Sequence, residues 1–181
     1  PGSGMLNAWD GLAGAQLSAK GSGVNRGVEL GLERRFLHNL FFLVNGTWLD
    51  ARYTDYFGAS HFTRWSIGYI GNAVVGKEWA RQKETHKRTW GVALRANALG
   101  GQRYTPIPTT EIPMPAPYSA QYNGTYRVDL RVYLKRERTG RSGIWSLDLL
   151  NATNAKNEAY RYFDRRQGAV VTQYQLGLIP N

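Results

Sequence analysis

The sequence predicts an all-β chain: an antiparallel, up-and-down segment of a transmembrane β-barrel, with residues 1–181 supplying about seven strands of a larger barrel. Three observations predict it. Apolar and polar residues alternate with period two in segment after segment from Val24 onward. The links between those segments alternate short and long. The segments also run to about ten residues, the span a tilted strand needs to cross a bilayer and longer than the usual five or six.

The alternation can be followed in order. Arg26, Val28, Leu30 and Leu32 oppose Gly27, Glu29, Gly31 and Glu33. From Leu40 to Asp50, Leu40, Phe42, Val44, Gly46 and Trp48 form one row against Asn45 and Thr47, with Phe41 and Leu43 blurring the polar row. Between Ile70 and Trp79, Gly71, Ala73 and Val75 oppose Asn72, Gly76 and Glu78. Trp90, Val92, Leu94, Ala96 and Ala98 oppose Thr89, Gly91, Ala93, Arg95 and Asn97. The clearest segment sets Tyr126, Val128, Leu130, Val132 and Leu134 against Arg127, Asp129, Arg131, Tyr133 and Lys135. Trp145, Leu147 and Leu149 oppose Ser146 and Asp148, and a last strand is expected over Val170 to Ile179.

Alternation is common to membrane barrels and soluble sandwiches, because both bury one face. Link lengths separate them. Phe36 to Asn39 is tight, Ala51 to Arg64 long, Ala80 to Arg88 modest, Gly100 to Asn123 very long, Arg136 to Gly143 modest and Asn151 to Ala169 long. A barrel with short turns on one rim and long loops on the other produces this order; a Greek key has no reason to. The proline-rich stretch from Tyr104 through Pro117 cannot pair in a sheet interior and reads as loop.

Composition fits the same class. No apolar run approaches the ~18 residues of a membrane helix, yet aromatics make up 13% of the chain, with six Trp and eleven Tyr. Trp48, Trp79, Trp90 and Trp145 fall near strand ends, where an aromatic girdle meets headgroups. The absence of cysteine excludes disulfides, thiolate metal sites and cysteine nucleophiles. A net charge of +10 first points to nucleic acid. The cations fall instead in short clusters between strand-like segments, Arg81-Lys83-Lys87-Arg88 and Lys135-Arg136-Arg138-Arg141, which read as solvated turns, and no nucleic-acid partner is expected. His38, His61 and His86 are dispersed without ligand spacing, Gly21-Ser22-Gly23 lacks the Lys of a phosphate loop, and Ser66 and Ser146 are read on strands without a base. No enzyme, metal site or cofactor is expected. Pro1-Gly2-Ser3-Gly4 has neither the basic start nor the apolar stretch of a signal peptide, so the chain is expected to continue a longer protein.

Several motifs in order resemble a known family. They are Gly27-Val28-Glu29-Leu30-Gly31-Leu32-Glu33; Gly76-Lys77-Glu78-Trp79 followed by Gly100-Gly101-Gln102-Arg103-Tyr104-Thr105-Pro106; Tyr126-Arg127-Val128-Asp129-Leu130-Arg131; Trp145 through Asn154; and the closing Tyr174-Gln175-Leu176-Gly177-Leu178-Ile179-Pro180. Together, from Val24 to Pro180, they resemble the C-terminal barrel portion of TonB-dependent outer-membrane receptors of the Bacteroidetes type. Leu150 departs from the polar residue usual there, and Pro180-Asn181 from the usual aromatic terminus. The resemblance implies the outer membrane of a Gram-negative cell and uptake of a large ligand such as an iron chelate or a glycan. The partners it implies are the rest of the barrel and its plug domain, an energy-coupling protein reached through a part outside these residues, a surface lipoprotein, and lipid or lipopolysaccharide.

If the apolar rows face lipid, then Glu29, Glu33, Asn72, Glu78, Arg95, Asn97, Arg127, Asp129, Arg131 and Asp148 face the lumen. Two readings of that lattice stay open: a structural grip on the plug, and a ligand path through Arg95, Asn97, Arg127 and Arg131. The loops around Gln102-Arg103-Tyr104 and Tyr160-Arg161-Tyr162 are candidates to close on an anionic or sugar-like ligand. Two alternatives stand beside transport: a soluble, basic β-sandwich or carbohydrate-binding module, and an outer-membrane barrel that imports nothing.

Overall fold

The computed structural model describes residues 20–107 and 115–181. In chain order the strands are β1 (Ser22–Leu37), β2 (Leu40–Thr54), β3 (Ser60–Phe62), β4 (Gly68–Lys83), β5 (His86–Leu99), β6 (Arg103–Tyr104), β7 (Ala120–Gln121), β8 (Thr125–Arg138), β9 (Arg141–Leu150), β10 (Glu158–Asp164), β11 (Ala169–Tyr174) and β12 (Ile179–Pro180). No helix occurs among the described residues. The six long strands pair antiparallel in the order β1-β2-β4-β5-β8-β9, with β12 on the far side of β9 and β3 beside β2. Each long strand therefore neighbours the long strand next in sequence, an up-and-down meander. The described residues form an open sheet with β1 and β12 at its ends, not a closed barrel.

The three short links are tighter than the sequence predicts. Ladder pairing runs to Leu37↔Leu40, Lys83↔His86 and Arg138↔Arg141, leaving only two residues in each turn. His38 and Asn39 both have positive φ, 53° and 61°, the backbone of the hairpin turn whose twist matches that of the strands it joins. Gly140, at φ 74°, serves the third turn at no steric cost. The basic clusters expected in turns are therefore strand residues: Arg81, Lys83, Lys87, Arg88, Lys135, Arg136 and Arg138 all lie in ladders, because pairing continues until two residues suffice to reverse the chain.

The long links carry small structures of their own on the opposite rim. β3 folds back on β2, and β6 pairs with β7. Tyr104, expected in loop, is thus paired with Ala120. The proline-rich stretch is irregular at 105–107 and 115–119, and residues 108–114 of that expected loop lie outside the described ones. The expected single strand over Val170 to Ile179 does not exist. β11 turns back on β10 in a separate hairpin, entered through Gly168 at φ 62°. Only Ile179 and Pro180 then rejoin the sheet, opposite Leu150 and Leu149, extended by reciprocal backbone bonds of 2.8 Å between Asp148 and Asn181. Ser66, read on a strand, lies in the loop between β3 and β4.

The strand register separates the faces. The cross-strand row Gly31–Asn45–Asn72–Asn97–Arg127 and the row Leu32–Val44–Ala73–Ala96–Val128 belong to opposite sides. All ten residues assigned above to the polar face lie on one side of the sheet. That side is the more enclosed: in β5, Thr89 and Gly91 are buried while Trp90, Val92 and Leu94 on the other side are exposed. Phe41, which blurred the alternation, has a role on the polar side. Its ring lies over its register partner Gly76, as the ring of Tyr133 lies over Gly91, and a Cβ at either glycine would meet ring carbons at 2.1–2.4 Å. Cross-strand aromatics thus supply the contact that these strand glycines lack.

Among the described residues, ordinary core is nearly absent. The buried hydrophobics among them are Ala51, Tyr53, Ile67 and Ala155, all near the long-loop rim, while Leu30 and Trp145 on the apolar face are each 75% exposed. A Gly91→Ala substitution is expected to drive Cβ into the Tyr133 ring and to destabilise the fold by about 1–3 kcal/mol. Adding Tyr133→Ala should recover part of the loss. Denaturant unfolding followed by tryptophan fluorescence checks both.

Candidate functional site

Alternation on β2, β4, β5, β8 and β9 brings polar side chains into register on one face. Asn97 donates to Asn72 at 2.6 Å and Asn72 to Asn45 at 2.9 Å, a ladder of amides across three strands. The next member of that row, Arg127, instead reaches along its own strand to Asp129 at 3.0 Å. Arg131 bridges to Asp148 on β9 at 3.1 Å and contacts Ser146 at 3.4 Å. Tyr133 donates a hydrogen bond to Glu78 across Gly91. Arg95 has no hydrogen-bond or ion-pair partner among the described residues. With Val74, Ala93, Asp129, Arg131 and Asp148 it lines a shallow cleft of about 330 Å³.

The long-loop rim carries a second cluster. Tyr104 of β6 stacks on Tyr122 at 4.3 Å, and Arg161 of β10 donates to the Tyr104 hydroxyl at 2.9 Å with its guanidinium lying over both rings. The same Arg161 meets both oxygens of Glu158 at 2.8 and 2.9 Å, and Asn123 donates to Glu158 at 3.1 Å. The hydrogen bond to Glu158 holds the Arg161 guanidinium above its ordinary pKa. This joins the β6–β7 and β10–β11 hairpins. Arg103, on the other side of β6, lies 3.4 Å over the Phe62 ring and donates to the Ser66 carbonyl at 3.3 Å. Burial lowers its pKa, with the charge of Arg52 adding to that. Tyr160 and Tyr162 project from β10 as an exposed pair with rings 5.9 Å apart.

No protein-family model, curated protein or solved structure matches the chain. The assignment of roles therefore rests on geometry. Of the sequence-derived candidates, Arg95, Asn97, Arg127 and Arg131 share the polar face, and Tyr104 and Arg161 meet in the loops. Arg103 points to a different neighbourhood. Arg103, Arg127, Arg131 and Arg161 are all engaged with neighbouring groups, whereas Arg95, Tyr160 and Tyr162 present chemistry that the fold leaves open to a ligand.

Two groups of polar anchors were not singled out by sequence reasoning. Asn151, buried at 3% exposure with φ 52°, donates its backbone N–H to the Asp129 carboxylate at 2.9 Å. Its side chain donates to the Ala155 carbonyl at 3.0 Å and accepts from the Ala155 N–H at 2.9 Å. Asn157 bonds the N–H and carbonyl of Tyr126 at 3.1 and 2.8 Å, so its amide imitates a strand partner where β9 has ended. The signal was the recurrence Asn151, Asn154, Asn157 at intervals of three in the chain. At the rim between β2 and β3, Asp55 accepts from Phe57 and Ala59, each at 2.9 Å, and meets His61 at 2.9 Å. The bond to His61 lowers the Asp55 pKa.

Asn151→Ala is expected to orphan buried backbone groups and to cost about 1–3 kcal/mol. Asn151→Gly, which tolerates the positive φ, should recover only the conformational part, roughly 1 kcal/mol. Equilibrium unfolding of the two variants against the parent separates the terms.

Proposed function

We propose that this chain is part of the barrel of an outer-membrane, TonB-dependent receptor that captures a large ligand at its long-loop rim and imports it. One observation carries the membrane reading. The apolar face runs across six strands, half-buried on β8 and mostly exposed elsewhere, is interrupted toward the short turns only by Arg34 and Lys77, and is bounded by two aromatic rows. Trp48 pairs with Tyr69 toward the long loops, and Trp79–Trp90–Leu134–Trp145 form one cross-strand row toward the short turns. Along β4, Tyr69 and Trp79 are ten residues apart, about 33 Å of strand, and at the usual tilt this becomes about 25 Å, the height of the apolar band on outer-membrane barrels. In water such a face is a large apolar patch that favours association; in a bilayer it meets hydrocarbon. Neither β6–β7 nor β10–β11 covers it, and a soluble sandwich requires a second sheet there.

The receptor reading is supported by the ordered motifs and by the loop architecture. Long hairpins on one rim, cross-braced through Arg161, hold Tyr160 and Tyr162 outward. The polar face offers Arg95 and Asn97 toward the same end of β5. Exposed aromatic rings on the hairpin, with an amide and a free guanidinium on the polar face, suit both sugar faces and anionic chelates.

The membrane reading is checked by reconstituting the full receptor in vesicles containing brominated lipids. The tryptophans of the two rows are expected to be quenched more by bromines near the headgroups than by bromines at the chain ends. Absence of quenching by either would overturn it. For the site, Arg95→Ala and the pair Tyr160→Ala/Tyr162→Ala are expected to lower ligand uptake by whole cells several-fold at equal surface abundance. Unchanged uptake in all of them would remove these residues from the ligand path.

A further inference from the structure

The short-turn rim of the apolar face carries an arrangement that the transport reading leaves unused. One row beyond the tryptophans, Arg81, Arg88 and Arg136 are direct cross-strand neighbours. One row further, Lys83 and His86 pair, His86 pairs Arg138, and Arg138 pairs Arg141. No carboxylate stands on this face in either row. None of these six Arg and Lys side chains has a hydrogen-bond or ion-pair partner among the described residues. On the opposite face at the same level, by contrast, Lys135 meets Glu137 at 2.6 Å.

Like charges directly opposite across a ladder are destabilising, so the two rows stand in an arrangement that an external anion would relieve. Position names that anion's surroundings. The rows lie just outside the belt of Trp79, Trp90 and Trp145, at the depth where headgroups follow hydrocarbon. One row inside the belt, Lys77 lies over the Trp79 ring at 5.6 Å, its ammonium bent toward the rim as a lysine stem does at an apolar boundary.

We infer that the two basic rows form a phosphate-binding belt for anionic phospholipids of the leaflet on the short-turn side. The inference rests on the membrane reading above and adds a lipid preference to it. The belt recognises the phosphodiester and the net negative headgroup, by the attraction that draws basic segments to anionic membrane surfaces. It also fixes the vertical position of the sheet, since the tryptophan row and the cationic rows read adjacent depths.

The test uses the full receptor, delipidated in detergent and titrated with phosphatidylglycerol or phosphatidylcholine of matched chains. Bound lipid is counted by native mass spectrometry. Tryptophan quenching in neutral brominated vesicles is measured in parallel. The parent is expected to retain phosphatidylglycerol on the order of tenfold over phosphatidylcholine, a preference that weakens with salt. Arg81→Gln/Arg88→Gln/Arg136→Gln should lose most of it while still inserting into neutral vesicles. Lys87→Gln/Lys135→Gln, which removes charge from the other face of the same rim, should keep it. Insertion of the parent and variants with no phosphatidylglycerol preference, or an equal loss in both variants, overturns the belt and leaves the membrane reading standing. Failure of the parent to insert overturns both.

Discussion

The ladder parity of the long strands is the constraint on which the rest of the structure depends. From β2 through β4, β5, β8 and β9 the register continues without a shift, so each side chain's face is set by whether its number is odd or even in its strand. A slip of one residue anywhere would send every polar residue beyond it to the apolar face. Two-residue turns at Glu84-Thr85 and Thr139-Gly140 leave no slack for such a slip. The main sheet's one irregularity lies between Arg34 and Leu37, next to a two-residue turn, where an extra residue on β1 sets Phe36 against Phe41 with rings 4.7 Å apart.

That parity yields a sheet whose polarity is inverted relative to a soluble domain. The enclosed face holds Asn45, Asn72, Asn97, Asp129 and Glu78, and the exposed face holds Val, Leu and Trp. Hydrophobic burial within the chain therefore contributes little to holding the six strands together. The ladder hydrogen bonds, the cross-strand amide row and the two rings laid over Gly76 and Gly91 do so instead. Each cross-strand pair is worth on the order of 0.2–1 kcal/mol, and their number matters more than any one of them. The apolar face gains its favourable free energy from whatever medium covers it.

The two rims are built on different physics. At the short-turn rim the ladders simply run out, and adjacent cations are left facing one another. At the long-loop rim polar side chains replace ladder bonds where strands end: Asn157 pairs the free edge of Tyr126, Asn151 closes its turn on Asp129, and Arg161 ties two hairpins through Tyr104 and Glu158. These loops are rigidified by buried polar contacts, which leaves Tyr160 and Tyr162 outward on a braced support.

Much of this was legible in the sequence, because period-two alternation is a local property. The face of Val128 against Asp129, or of Leu94 against Arg95, follows from adjacent residues alone. The order of short and long links likewise gave the up-and-down path and its two rims. What the sequence could not decide was where pairing stops. A cationic cluster is as compatible with a turn as with a strand end, and only the ladders place Arg81, Arg88 and Arg136 side by side on a strand face. The run from Val170 to Ile179 alternates well enough for one strand, but strand partners are non-local, and β11 finds β10 before the sheet. In the same way Arg103 and Tyr104, adjacent in the chain, part company in space, since neighbouring residues of a strand point to opposite sides. Local chemistry determined the faces; the choice of partners, and hence which charges are satisfied and which remain open, belonged to the tertiary structure.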